Sequence, residues 1–155
     1  MDFTDYLITK HAVAAKIQAY SWKEAISEGG KVLVGTGACT PEYISAIIET
    51  CEMNGPYFVI SRGIAMPHAR PEKGGLDDGA ALVTLETPVV FEDPENDPID
   101  ILIFISAKTA ASHVEDAMCQ VADFCDDAEN IEALRSMNTS DEILKFLKKI
   151  KGNKK

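Results

Sequence analysis

The sequence predicts an α/β protein: a single domain built on a mixed β-sheet with helices on both faces. Three observations carry this. Amphipathic helical stretches precede, interrupt and follow short β-rich runs, the order of elements found in α/β folds. In "IDILIFISA" (99–107) both alternating sets, Ile99/Ile101/Ile103/Ile105 and Leu102/Phe104, are apolar, so a central strand covered on each side is expected there. No repeat, low-complexity tract or Pro/Ser-rich linker divides the 155 residues, a length that suits one domain with a real core. The expected domain spans residues 1–150, with a basic tail over 151–155.

Taken in order, the first clear helix starts at "SWKEAISEGGKVL". Ser21 caps it, Glu24 completes a capping box, and Trp22, Ile26, Gly29 and Leu33 share one face. The next, "TPEYISAIIETCEMNG", has Thr40 as N-cap and Pro41 at the first helical position. Ile44, Ile47, Ile48 and Cys51 form its buried stripe, and Asn54-Gly55 its stop. Strand-like runs follow at 57–61 ("YFVIS"), 79–86 ("GAALVTLE") and 99–107. "TPVVFEDPENDP" between the last two reads as a short edge strand and an acidic turn-rich loop. "SHVEDAMCQVADFC" is helical, with Val114, Met118, Val121 and Cys125 on one face. A short helical turn around "AENIEALRSM" and a helix at "TSDEILKFLKKI" close the chain. Thr139 and Glu142 box that helix in, and Ile143, Phe146, Leu147 and Ile150 are its core face.

Composition excludes several classes of function. Hydrophobic residues at 46% and charged residues at 26% are an ordinary globular balance. A net charge of −10 with no arginine-rich stretch argues against nucleic acid, whose binding rests on Lys/Arg contacts to phosphate. No apolar run approaches the ~20 residues that span a bilayer, and "MDFTDYLITK" lacks the basic start of a signal peptide. A cytoplasmic protein without membrane insertion is therefore expected. The four cysteines, Cys39, Cys51, Cys119 and Cys125, show no CxxC pairing and read as small core residues rather than zinc ligands.

No GxGxxG, P-loop, GxSxG or HExxH pattern is present, and no pair of carboxylates forms an acid/base frame. Gly74, Gly75 and Gly79 in "PEKGGLDDG" read as a flexible polar loop. The three histidines remain. His11 has no companion and carries no chemistry here. His68 follows Pro67, whose fixed φ sets its position, and lies just past a strand-like run, where α/β proteins tend to carry their sites. His113 follows the end of the central strand. Ser112 and Glu115 make a capping box that puts His113 at the first position of a helix. A helix N-terminus disfavours an imidazolium and welcomes an anion such as a phosphoryl group. His68 and His113 form one site if their strands end at the same sheet edge; otherwise they are two unrelated loop histidines.

"GIAMPHARPEKGG" closely resembles the active-site segment of the enzyme IIA components of the bacterial phosphoenolpyruvate-dependent sugar phosphotransferase system, mannitol/fructose-type superfamily. Together with "NGPYFV", "ALVTL" and "NDPIDILI" it is most similar to the L-ascorbate branch, over nearly the whole of Met1 to Ile150. The resemblance implies a single type 2 IIA domain over residues 1–150. His68 would accept a phosphoryl group, through Nε2, from the phosphocarrier protein HPr. It would then pass the group to a cysteine of the cognate IIB, which serves the membrane IIC. His113 matches the second active-site histidine, and neither cofactor nor metal is implied. Arg70 could give charge-assisted bonds to the phosphoryl oxygens or simply face water. Mannitol-type relatives carry an arginine upstream, but the corresponding place here, near Glu52-Met53, has none, which leaves Arg62 and Arg70 open. Two other readings stand beside it. One is a regulatory phosphohistidine module that reports sugar status to a transcription factor or other partner; the other, a metal-dependent hydrolase, has no ligand spacing behind it. An acidic surface suits a basic partner face, and a homo-oligomer is compatible with the sequence.

Overall fold

The 99–107 run does form the middle of the sheet. In the computed structural model, which describes residues 2–109 and 112–153 (the side chains of 112–114 and 153 excepted), β1 (Val13–Ile17), β2 (Val59–Ser61), β3 (Ile64–Ala65), β4 (Gly79–Val89) and β5 (Ile99–Ser106) form one sheet ordered β1-β4-β5-β3-β2. β1 is parallel to β4, β4 antiparallel to β5, β5 parallel to β3, and β3 antiparallel to β2. Every β5 residue except Asp100 is buried, on both pleats, so both faces of the sheet are covered. The mixed sheet with helices on both faces is the expected fold.

One layer is α2 (Trp22–Gly35) with α3 (Pro41–Asn54) on it. α2 crosses β1, β4 and β5. Two glycines set the approach. A Cβ on Gly29 would stand 2.8 Å from the Phe104 ring, and one on Gly30 2.7 Å from the Ile44 side chain, so the helix lies closer to the sheet and to α3 than alanines would permit. Ser21 accepts from Glu24 N at 3.1 Å as the capping box requires, whereas Thr40 caps α3 without a side-chain bond. The other layer comprises α1 (Phe3–Lys10), α4 (Ser112–Asp126) and α6 (Ser140–Asn153), with α5 (Ala128–Ser136) against α4. Among the described residues no helix is long and apolar enough to cross a membrane.

The structure corrects several expectations. α1 and β1 were not foreseen: β1 is a five-residue edge strand of mostly half-buried small residues, and α1 is short and anchored through Phe3 and Leu7. Residues 87–89 continue β4 instead of forming a separate edge strand. "AENIEALRSM" contains a full nine-residue helix. α6 runs on past Ile150 to Asn153, with Lys151 paired to Asp5, so the last helix is longer than the expected "TSDEILKFLKKI". The buried stripe of α4 is Ala117, Val121 and Phe124, while Met118 and Cys125 are half-buried. Val114 and the Ser112–Glu115 capping box lie outside the described side chains. Cys39 and Cys51 are core residues as expected, but Cys119 is exposed.

Candidate functional site

His68 stands beyond the carboxyl end of β3. Met66 N bonds to Phe58 O at 2.8 Å, and the Pro67 carbonyl accepts from Ile105 N at 3.1 Å, so the segment keeps following β5 after β3 has ended. α4 begins at Ser112, after the end of β5. The strand that carries His68 is therefore β3, parallel to β5, and not the 57–61 run, which is the antiparallel edge strand β2. Both chain segments thus leave the sheet at the carboxyl ends of neighbouring parallel strands. The His113 backbone belongs to the first turn of α4, but its side chain is outside the described residues.

The imidazole is half-buried, with Nδ1 2.8 Å from the Met66 carbonyl oxygen. A carbonyl can only accept, so Nδ1 carries the proton of the neutral ring and Nε2 keeps a free lone pair. Two tyrosines that sequence reasoning passed over hold this segment. Tyr43, buried on α3, donates its hydroxyl to Ile105 O at 2.7 Å, has Ala69 O at 3.1 Å, and accepts the Ala69 N–H at 3.0 Å. Tyr57 donates its hydroxyl to the His68 carbonyl, and its ring meets the imidazole edge-on at 5.4 Å between centroids and 78° between planes. Burial pushes the Tyr43 phenol up to about 12 and also raises that of Tyr57, so both are neutral O–H donors at neutral pH. Tyr43 was visible as the residue four before Ile47 on the buried stripe of α3. Tyr57 carried no signal beyond its place in a strand-like run.

Arg70 lies two residues after His68 and is exposed; its carbonyl accepts from Lys73 N at 3.0 Å, and its side chain makes no hydrogen bond or ion pair among the described residues. Arg62 sits in the β2–β3 turn beside Gly63, whose carbonyl accepts from Asp100 N and Ile101 N at the start of β5. His68 lies near Ile105, at the other end of that strand. Five residues of strand at about 3.3 Å each separate them, more than an arginine side chain spans, so Arg62 lies out of reach of His68, while Arg70 follows it by two residues in the chain. The third arginine, Arg135, is committed to Asp100, with Nε–Oδ2 at 2.9 Å and Nη2–Oδ1 at 3.1 Å, which raises its pKa.

The glycine loop that follows is packed, not loose. A Cβ on Gly75 would stand 2.3 Å from Ala107 O, and Gly74 adopts φ +124 against Thr40 and Tyr43. These glycines let the loop from His68 back to β4 press onto α3 and the end of β5. His11, the remaining histidine, is the left-handed C-cap residue of α1 (φ 51).

The family model for the phosphoenolpyruvate-dependent sugar phosphotransferase system, EIIA 2, matches residues 6–150. The chain belongs to this family. It is 39% identical over 147 residues to the ascorbate-specific PTS system EIIA component of Escherichia coli K12, covering 95% of this chain and 96% of that one. Among solved structures, the mannitol-specific cryptic phosphotransferase enzyme IIA CmtB of E. coli superposes with a TM-score of 0.80 at 32% identity, over 95% of this chain and 98% of that one. The mannitol IIA of E. coli, solved in complex with phosphorylated mannitol IIB, gives a TM-score of 0.73 at 26% identity, over 88% and 93%. This EIIA-family chain is thus a component of a sugar phosphotransferase system.

Proposed function

We propose that the protein is the cytoplasmic IIA phosphocarrier of an ascorbate-type phosphotransferase system, with His68 as the phosphoacceptor. The observation that carries this is the Nδ1–H bond to Met66 O: it leaves Nε2 as the nucleophile of a neutral ring, which needs no general base. Nε2 attacks the phosphorus carried by phospho-HPr; the Nε2–P bond forms as the donor's N–P bond breaks, and Nδ1 keeps its proton throughout. The charge that develops on the ring is met by the Met66 carbonyl. In the second step a cysteine thiolate of IIB attacks, the S–P bond forms, and Nε2 recovers its lone pair. The transition state spreads charge over three equatorial oxygens, so positioning and donors matter most. Arg70 is the cation we assign to those oxygens and His113 the second histidine, the latter on family resemblance. Ascorbate as the sugar rests on the EIIA relatives named for it, and IIB as acceptor on the mannitol IIA–IIB complex.

Incubation with phosphoenolpyruvate and the two general phosphotransfer proteins tests the reading. One acid-labile phosphoryl group per chain is expected, absent in His68→Ala and transferable to an ascorbate-type IIB. A label that persists in His68→Ala refutes the assignment.

A further inference from the structure

We propose that Tyr57 is a positioning residue for His68, one that fixes the imidazole in the Nδ1–H tautomer with Nε2 facing outward; this rests on His68 as the phosphoacceptor. The backbone on either side of His68 is already tied down, Pro67 O to Ile105 N and Ala69 to the Tyr43 hydroxyl. The His68 peptide carbonyl remains, as does the ring beyond its Nδ1 bond to Met66 O, and Tyr57 takes both: its hydroxyl donates to that carbonyl and its ring stands edge-on against the imidazole. Turning the imidazole half a revolution about Cβ–Cγ would carry Nδ1 away from Met66 O, and the Tyr57 ring stands against that turn. Tyr57 is itself set firmly. Its N–H bonds to Gly55 O at 2.8 Å, and its ring packs edge-to-face on the buried Phe58 at 4.9 Å. It is also 38% exposed, unlike Tyr43, so its replacement leaves the core intact. An aromatic at the rim of a site, with an apolar body and a polar tip, holds a reactive group at small cost in side-chain freedom.

Two variants separate the ring from the hydroxyl. Tyr57→Phe keeps the edge-on wall and drops the tether to the His68 carbonyl; Tyr57→Leu drops both. Long-range 1H–15N spectra of the unphosphorylated, 15N-labelled proteins report the His68 tautomer, and stopped transfer from phospho-HPr reports the rate of acceptance. The wild type is expected to hold the Nδ1–H tautomer. Tyr57→Leu should mix the two tautomers and slow acceptance about a hundredfold, the loss that a misplacement of about 1 Å can bring. Tyr57→Phe should lie between, about tenfold slower, with the melting temperature of both variants close to that of the wild type. An unchanged tautomer with an unchanged rate in Tyr57→Leu overturns the proposal, as does a rate that falls only with the folded fraction. The tautomer spectra decide Tyr57 even if the wild type accepts no phosphoryl group, an outcome that would refute the proposed function alone.

Discussion

Replacing Tyr43 by Phe removes one oxygen from the interior and nothing else of the side chain. That oxygen donates to the Ile105 carbonyl at 2.7 Å and accepts from Ala69 N–H at 3.0 Å, in a residue 1% exposed. Phenylalanine refills almost the same volume, so no cavity term enters, but a buried N–H and a carbonyl lose their partner. Each such loss costs about 1–3 kcal/mol, and about 2 kcal/mol in total is expected where the groups share one partner. For a chain of this size that lowers the melting temperature by roughly 4–8 °C. Alkaline pH supplies an independent reading. Burial holds the folded phenol at about 12 against its ordinary 10.0; the folded state keeps a proton that the unfolded chain has released. The contribution is complete below pH 10 and is lost as pH climbs towards 12, by roughly 3 kcal/mol at about 1.4 kcal/mol per pH unit. Tyr43→Phe should therefore show a flatter fall in stability over that window. Urea unfolding between pH 7 and 11 measures both effects. Stability within about 0.5 kcal/mol of wild type, with the same alkaline slope, would refute the role given to this hydroxyl.

Gly29→Ala places a methyl 2.8 Å from the fully buried Phe104 ring. The gain in helix propensity of about 1 kcal/mol is outweighed by overpacking of about 1–3 kcal/mol, and a net loss is expected in denaturant midpoint. Arg135→Ala leaves Asp100 without its bidentate partner, with side-chain exposures of 32% and 19% for the pair. Thermal unfolding should show a loss of about 1–2 kcal/mol after allowance for solvent screening, and Arg135→Lys should recover only part because an ammonium cannot bind both oxygens.

What the sequence showed and what it hid divide along physical lines. β5 was legible because a strand buried on both faces has no polar alternation, and α2 and α3 because caps, a proline and an apolar stripe coincide. α1 and β1 were not, since an eight-residue helix and an edge strand of half-buried alanines carry little periodic signal and owe their form to the core they dock on. β3 is two residues long and exists through its pairing with β5. At the site, His68 drew attention through Pro67, although the strand it follows is the two-residue β3 and not the 57–61 run read from the sequence. The distance of Arg62 from His68 was not legible, because it depends on which end of β5 each turn reaches. The hydrogen-bonding roles of Tyr43 and Tyr57 were hidden for the same reason: their partners are backbone groups 26 to 62 residues away for Tyr43 and 11 for Tyr57.

In the proposed relay, the order in this site is spent on the proposed nucleophile, His68, and not on the phosphoryl group. Among the described residues the groups that fix His68 are neutral: a carbonyl on Nδ1, two phenols and a backbone N–H from β5. The cation proposed for the phosphoryl oxygens, Arg70, is exposed and held by no ion pair among the described residues, while the arginine that is held, Arg135, serves the opposite end of β5. For a relay this division is physically sensible. A rigid pocket of charge would stabilise the phosphohistidine itself, and whatever deepens that intermediate speeds the inward step only by slowing the outward one. Fixing the lone pair of Nε2 would act differently: in the proposed relay it brings the ring closer to its geometry in both transition states, which the two steps share at nitrogen, and so would accelerate acceptance and donation together.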